Sequence, residues 1–276
     1  MLSEKELVFF SKNGYLIKKT NNQNSLNYLQ NKIFLLLCKS EKKLLKLKNK
    51  NITTIFQNLH KYIDKKKLNE IRVSAIEGLN KDNKFSKSYY DTGQEMLDGL
   101  VGNEIAMQKK INLSIQAPND QKSMLPMHSD IYAGESPFEV VAWIPLMNVK
   151  KSSHSMFITN PKFNPIINKE VTQSNKKTII KIYNKHKKRF KFLSINYGEV
   201  LIFTPVLLHG NIVNKTKETR ISLNCRFKSL LSPYDVFSKT HRNIPHFFKP
   251  LIIKPLTKLG FNFINVVNEK KIKSNF

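Results

Sequence analysis

The sequence is poor in the residues that staple a chain together or carry it through a lipid bilayer. It has 2 cysteines in 276 residues, Cys38 and Cys225, with no CxxC spacing, which excludes a disulfide framework and a zinc ribbon. No run of about 18 uninterrupted apolar residues occurs, so no membrane span is expected, and the N-terminus lacks the apolar core of a signal peptide. Together these absences predict a soluble protein of the reducing cytoplasm. Acidic residues are also scarce: 20 Asp and Glu stand against 47 Lys and Arg, a formal charge of +27. Such a charge points first to nucleic acid or an anionic membrane. The basic residues are nevertheless spread over the whole chain, with small clusters at Lys42 to Lys50, Lys65 to Lys67 and Lys185 to Lys191, and they are mixed with Asn, Ile and Phe as AT-rich codon bias would mix them. No RNA- or DNA-binding module and no aromatic stacking platform accompanies them, so nucleic acid is not the expected partner. Nothing in the sequence speaks to oligomeric state.

What is present suffices for a well-buried core, since 40% of residues are hydrophobic. Ser3 and Glu6 form a capping box, and Gly14 is placed to close that helix before the strand-like "YLIKK". Apolar residues at three- and four-residue steps (Leu26, Leu29, Ile33, Leu37) predict helix over 25–70, and a second helical stretch is expected over about 89–107. After residue 110 the period changes to 2. "INLSIQ" alternates, and "FEVVAWIPL", "SMFITN", "FKFLSI", "EVLIFTPVLL" and "TRISLNCRFK" follow as short strands, which predicts a β barrel or sandwich preceded by helices. A Lys- and Asn-rich segment of about 165–189 interrupts the strands as a helical or loop insertion. The tail "HFFKPLIIKPLTKLGFNFINVV" either packs back on the barrel or lies on a membrane surface; Pro250 and Pro255 spoil a continuous amphipathic helix and favour the former.

Within "LPMHSDIYAGESPFEVVAWIPL", His128 and Asp130 stand two apart, a spacing that aims both side chains to one side at a strand end. An isolated H-x-D is common by chance. A facial triad needs a second histidine from a distant strand, and His209 follows "GEVLIFTPVLL" directly, with the small Gly210 beside it. Arg220 then opens an alternating strand with Ser222 on the same face, where a guanidinium can grip a carboxylate with two hydrogen bonds and a hydroxyl can add a third. Gln116 reads equally as a ligand for substrate or co-substrate and as a solvent-facing strand residue. Trp143 reads as pocket wall or core, and Asn211 and Asn224 as ligand orienters or, for Asn211, a turn residue. His154, His186, His241 and His246 have no partner at ligand spacing.

These stretches, with the opening "LSEKELVFFSKNGYLIKK" and "RFKSLLSPY" near 234, resemble the Fe(II)- and 2-oxoglutarate-dependent oxygenases in their phytanoyl-CoA-dioxygenase-like branch. "MHSDIYAGESPFEVVAWIPL" with "HGNIVNKTKETRISLNCRFK" is similar to a bacterial group from sugar and aminocyclitol biosynthesis clusters, the streptomycin-biosynthesis type. The resemblance implies a mainly β fold with flanking helices and a double-stranded β-helix (jelly-roll, cupin-like) core. It implies one oxygenase domain over 1–276: a helical part at 1–109, the β-helix core at 110–232 with its insertion, and a C-terminal extension at 233–276. It implies Fe(II) on His128, Asp130 and His209, and 2-oxoglutarate anchored by Arg220 with Ser222, with O2 as the oxidant; Gln116 is placed with them as a further candidate for the co-substrate. Halogenating relatives replace the carboxylate ligand with a small residue; Asp130 keeps it here, which argues for hydroxylation or a related oxidation. The expected substrate is a small molecule, a carbohydrate or carbohydrate-derived intermediate such as a nucleotide-sugar. The alternatives are the same chemistry on a lipid, acyl thioester or amino acid, and a non-catalytic cupin-like or nucleic-acid-binding module.

Overall fold

Ser3 opens helix α1 (Glu4–Asn13) with both halves of the capping box: its hydroxyl accepts from the Glu6 N–H at 3.3 Å, and the Glu6 carboxylate accepts from the Ser3 N–H at 2.7 Å. Gly14, at φ 71°, closes the helix in the left-handed region that favours glycine and turns the chain into β1 (Tyr15–Lys19). The structure is a computed structural model and describes residues 1–172, 176–232 and 247–262; His241 and His246 lie outside them.

The helical stretch expected over 25–70 is divided into α2 (Gln23–Ser40), α3 (Ile52–Gln57) and α4 (Lys65–Asn80). Asn22, Asn51 and Asp64 each accept a backbone N–H as the N-cap of the next helix, a start signal that apolar periodicity alone conceals. Helix α5 (Asn83–Val101) begins at the cap Asp82 and ends at Gly102, φ 93°, earlier than the pattern over 89–107 suggested. Residues beyond it form β2 (Ile105–Gln108), and β3 (Asn112–Gln116) follows as expected. The order then runs β4 (Glu139–Pro145), β5 (Phe157–Thr159), α6 (Asn164–Thr172), α7 (Lys176–His186), β6 (Phe190–Phe192), β7 (Glu199–Phe203), β8 (His209–Gly210), β9 (Arg220–Ser229) and β10 (Phe248–Ile252). The result is a mixed helix and antiparallel-sheet fold, with helices more prominent than a mainly β reading predicts.

The larger sheet runs β1-β7-β4-β9-β2-β10, with β3 also paired to β9; the smaller runs β6-β5-β8. Strand β9 is the axis, pairing with β4 along one edge and with β3 and then β2 along the other. Its odd residues Ile221, Leu223, Cys225 and Phe227 are buried in one core cluster with Leu26, Leu29, Ile33 and Leu37 of α2 and with α4 and α5. Each fully buried side chain of this kind contributes about 1.5–3 kcal/mol. On the opposite face, Val141, Trp143, Leu201 and Phe203 pack against Met156, Ile158, Leu193 and Ile195 of the smaller-sheet region. The predicted insertion is a helical pair: Ile167 of α6 and Ile182 and Tyr183 of α7 pack on Phe157 and Leu208. The start of the C-terminal tail packs back as β10 on β2.

Period-2 alternation therefore puts the even residues of β9 (Arg220, Ser222, Asn224, Arg226 and Lys228) on the face turned toward the smaller sheet, opposite the helical core. Arg220, Ser222 and Lys228 are buried despite their polarity. A strand with an apolar face against the helices and a charged, buried face toward the interior is the feature on which the site is built.

Candidate metal centre and anion cradle

The expected strand "EVLIFTPVLL" stops at Phe203, because Pro205 cannot donate to a ladder, and a turn carries the chain to His209. That turn is what brings the two halves of the triad together. Residues 125–130 run antiparallel to 205–211: His128 N–H donates to His209 C=O at 2.9 Å and His209 N–H returns the bond at 2.9 Å. The Asp130 N–H donates to Pro205 C=O at 3.0 Å, and the Ser129 hydroxyl donates to the same carbonyl at 2.8 Å. Asn211 has a structural role: its side-chain oxygen accepts from Leu125 N–H at 2.7 Å. Gly210 is required by close approach, since a Cβ there would lie 2.9 Å from Leu125 O and 3.0 Å from Pro126 O, both backbone atoms.

The ligand atoms of His128, Asp130 and His209 lie within 4.8 Å of one another. The Nδ1 of each imidazole faces a carbonyl, Pro126 O at 2.8 Å and Leu207 O at 2.9 Å. A carbonyl only accepts, so both Nδ1 atoms carry a proton, and in the neutral ring that leaves Nε2 to present the lone pair. Those lone pairs face Oδ1 of Asp130, at 3.4 Å from His128 and 3.9 Å from His209. Lone pairs of neutral imidazoles and an anionic oxygen converging here, where Asp130 and His209 are buried and His128 is half-buried, repel one another unless a cation sits among them. Burial, the largest influence on Asp130, raises its pKa, but the His128 contact and the His209 and Arg226 charges outweigh it and hold the carboxyl well below the usual range. Burial and then the neighbouring His128 pull His209 down to about 4, so at neutral pH it is an unprotonated donor. The donor set therefore fits a divalent transition metal.

At the other end of β9, Arg220 is 2% exposed, and among the described residues it has no ion-paired carboxylate. Burial lowers its pKa to about 10, which leaves the guanidinium charged at neutral pH. Among the described residues its Nε has no hydrogen-bond partner and its one acceptor is His154 O at 3.5 Å; its cationic carbon lies 5.8 Å from the Trp143 ring. Around it are further partnerless buried atoms: Ser222 Oγ, Gln116 Oε1 and His154 Nδ1. Gln116 is paired in register with Arg220, and Ser114 with Ser222, so β3 forms one wall of this cradle. A buried charge with no counter-ion costs several kcal/mol, and a set of unpaired polar atoms grouped about it is the mark of a ligand that the protein expects.

The structure thus brings together all three predicted metal ligands and groups the predicted Arg220, Ser222 and Gln116 in a second cradle on the same inner face. Trp143 packs between the sheets, as its core reading expects, and its ring lies beside Arg220. His154, discounted for want of spacing, lies at the Arg220 cradle, where burial lowers its pKa. His186 faces Glu170 at 3.0 Å. Sequence reasoning missed Arg226, Glu135 and Glu139: Arg226 Nη2 meets Asp130 Oδ2 at 2.9 Å, and its Nε lies 3.3 Å from Glu135 and 3.8 Å from Glu139. The same alternation that placed Ser222 beside Arg220 places Arg226 on that face, so the signal was there. A cleft of about 960 Å3 near β1 and α5, lined by Lys18, Thr92, Glu95 and Gly99 among others, includes no triad residue. Among the described residues no helix is long and apolar enough to cross a membrane.

No family model and no curated protein matches this sequence. Among solved structures, HygX from Streptomyces hygroscopicus with nickel and 2-oxoglutarate bound is similar, with a TM-score of 0.52 at 11% identity over 83% of this chain and 88% of that one. The same protein with iron bound gives 0.52 at 11% identity over 84% and 88%. At such identity the likeness is one of fold alone, shared with a protein whose structures hold nickel and 2-oxoglutarate or iron.

Proposed function

We propose that this chain is a single-domain Fe(II)- and 2-oxoglutarate-dependent oxygenase with a double-stranded β-helix core, and that it hydroxylates a carbohydrate or carbohydrate-derived small molecule. The observation that carries the reading is a His-Asp-His donor set beside the inner face of β9, with Asp130 and His209 buried, together with a buried guanidinium on that face that lacks a counter-ion among the described residues. In this reading His128, Asp130 and His209 hold iron, which supplies activation of O2 coupled to decarboxylation of 2-oxoglutarate to succinate. The Pro126 and Leu207 carbonyls keep both imidazoles in the tautomer that ligation requires. Arg220 takes the distal carboxylate of the diacid with Nε–H and an Nη–H in parallel, and Ser222 donates a third bond. Gln116 donates one amide N–H to Ile212 O at 2.8 Å, which leaves its second N–H and its unpartnered oxygen to line the pocket. Arg226, Glu135 and Glu139 make the region beside the triad polar and charged, which favours a hydroxyl-rich substrate over a lipid.

The test is anaerobic titration of the purified chain with Fe(II) and 2-oxoglutarate, followed by exposure to air. Chelation of the diacid on iron is expected to give a weak visible charge-transfer band that Arg220→Gln diminishes, and succinate is expected to form slowly without added substrate. Absence of the band and of succinate in the wild-type protein overturns the reading.

A further inference from the structure

The two oxygens of the Asp130 carboxylate have different partners. Oδ1 faces the two Nε2 atoms at 3.4 and 3.9 Å, while Oδ2 is met by Arg226 Nη2 at 2.9 Å. The guanidinium is itself held from behind. Its Nη1 donates to Gln108 Oε1 at 3.2 Å, and the same oxygen accepts the Arg226 backbone N–H at 3.2 Å. Its Nε stands among Glu135 and Glu139 as an ion pair, with no directed hydrogen bond. Three carboxylates thus share one guanidinium, and only that of Asp130 has an oxygen turned to the imidazoles.

We propose that Arg226 is a positioning residue: it engages Oδ2 of Asp130 so that a metal on the triad meets one carboxylate oxygen and keeps the places a chelating diacid needs. The inference rests on reading the triad as a metal centre. Its chemistry is general, because a carboxylate binds a divalent ion through one oxygen or two, and a second Asp130 oxygen would take a place that 2-oxoglutarate must fill. Gln108 and the two glutamates fix the guanidinium, so Oδ2 stays engaged whether or not a metal is present.

Two measurements test it, with Co(II) and Ni(II) as probes. In a crystal structure of the wild-type chain with Ni(II), Asp130 is expected to touch the metal through one oxygen, with Arg226 on the other. Contact through both oxygens, or an Arg226 withdrawn from Oδ2, overturns the proposal without need of any variant. In calorimetric titrations, Arg226→Gln is expected to keep Co(II) affinity within about threefold of wild type while the affinity of the Co(II) protein for 2-oxoglutarate falls by at least about tenfold. Arg226→Lys, which retains a cation near Oδ2, is expected to recover most of that loss. A merely structural arginine would lose metal and diacid together and would not be rescued by lysine, and that result also overturns the proposal. Unchanged diacid affinity in Arg226→Gln sinks the positioning role and leaves the metal centre standing, whereas a wild-type chain that binds no Co(II) removes the metal centre and this inference with it.

Discussion

Arg220 and Arg226 lie on the same face of the same strand, both inside the protein, and their surroundings are opposite. Arg226 sits among Asp130, Glu135 and Glu139 with Gln108 beneath it. Arg220 has a single long contact to a carbonyl and no carboxylate among the described residues. The first arginine is ion-paired within the protein, whereas the second has no counter-ion among the described residues. The contrast separates a charge that the fold pairs from one that it leaves without a counter-ion, and it is the more completely buried of the two, Arg220, that lacks one among the described residues.

The contrast is broken or sharpened most strongly by giving each arginine the same apolar replacement. Arg226→Met strands three buried carboxylates, and removing one partner of a buried ion pair costs about 3–5 kcal/mol. Arg220→Met removes a buried charge that has no counter-ion, so the metal-free protein is expected to keep its stability or gain about 1–3 kcal/mol. Urea unfolding of both variants without metal or diacid checks this. Equal losses would mean that Arg220 has a partner within the protein after all.

The next effect concerns the glutamate that shares Arg226 without a hydrogen bond of its own. Burial is the largest influence on Glu139 and pushes its pKa from the ordinary 4.5 up to about 7, against the lowering charges of Arg226 and Lys228. Both of its oxygens lack a hydrogen-bond partner. Because the folded value is raised, the unfolded chain ionises first: stability from this group is intact below pH 4.5 and is lost as the pH rises through 7. Glu139→Gln is therefore expected to leave stability unchanged at pH 4 and to raise it at pH 8 by up to about 3 kcal/mol, since each tenfold change in an acid's ionisation constant on folding is worth about 1.4 kcal/mol. A variant less stable than wild type at pH 8 would show that the ionised carboxylate supports Arg226 more than its burial costs.

The sequence disclosed one of these arginines and hid the other, for a physical reason. Arg220 stands at the head of an alternating strand eleven residues after His209, so its place on the inner face could be read from the pattern. Arg226 acts through Asp130, and that contact exists only because β9 crosses beside the loop at 125–130, a tertiary fact without local signature. The triad was legible because strand ends mark it; the exchange of hydrogen bonds between His128 and His209 was not, since the long strand expected through Leu208 breaks at Pro205. In the helical half, the caps Asn22, Asn51 and Asp64 divide a stretch whose apolar period runs on unbroken, so periodicity found the buried faces and missed the ends. His154 was discounted because ligand spacing is a test for metals, and the place where it lies is built around a guanidinium.

The smallest effect separates two buried serines by the same logic. Ser129 Oγ donates to Pro205 O at 2.8 Å in the free protein, whereas Ser222 Oγ, fully buried beside Arg220 in the strand, has no partner. Ser129→Ala is expected to cost about 1 kcal/mol of stability through a lost hydrogen bond that helps pin the metal-bearing loop. Ser222→Ala removes no bond from the free protein, so its unfolding free energy should not fall, while affinity for 2-oxoglutarate on the Co(II) protein should fall about fivefold, the equivalent of about 1 kcal/mol. Were Ser222→Ala to destabilise the free protein and spare diacid binding, its hydroxyl would already be satisfied within the fold. The partnerless surroundings of Arg220 would then be a feature of packing, and the difference between the two arginines would no longer point to a ligand.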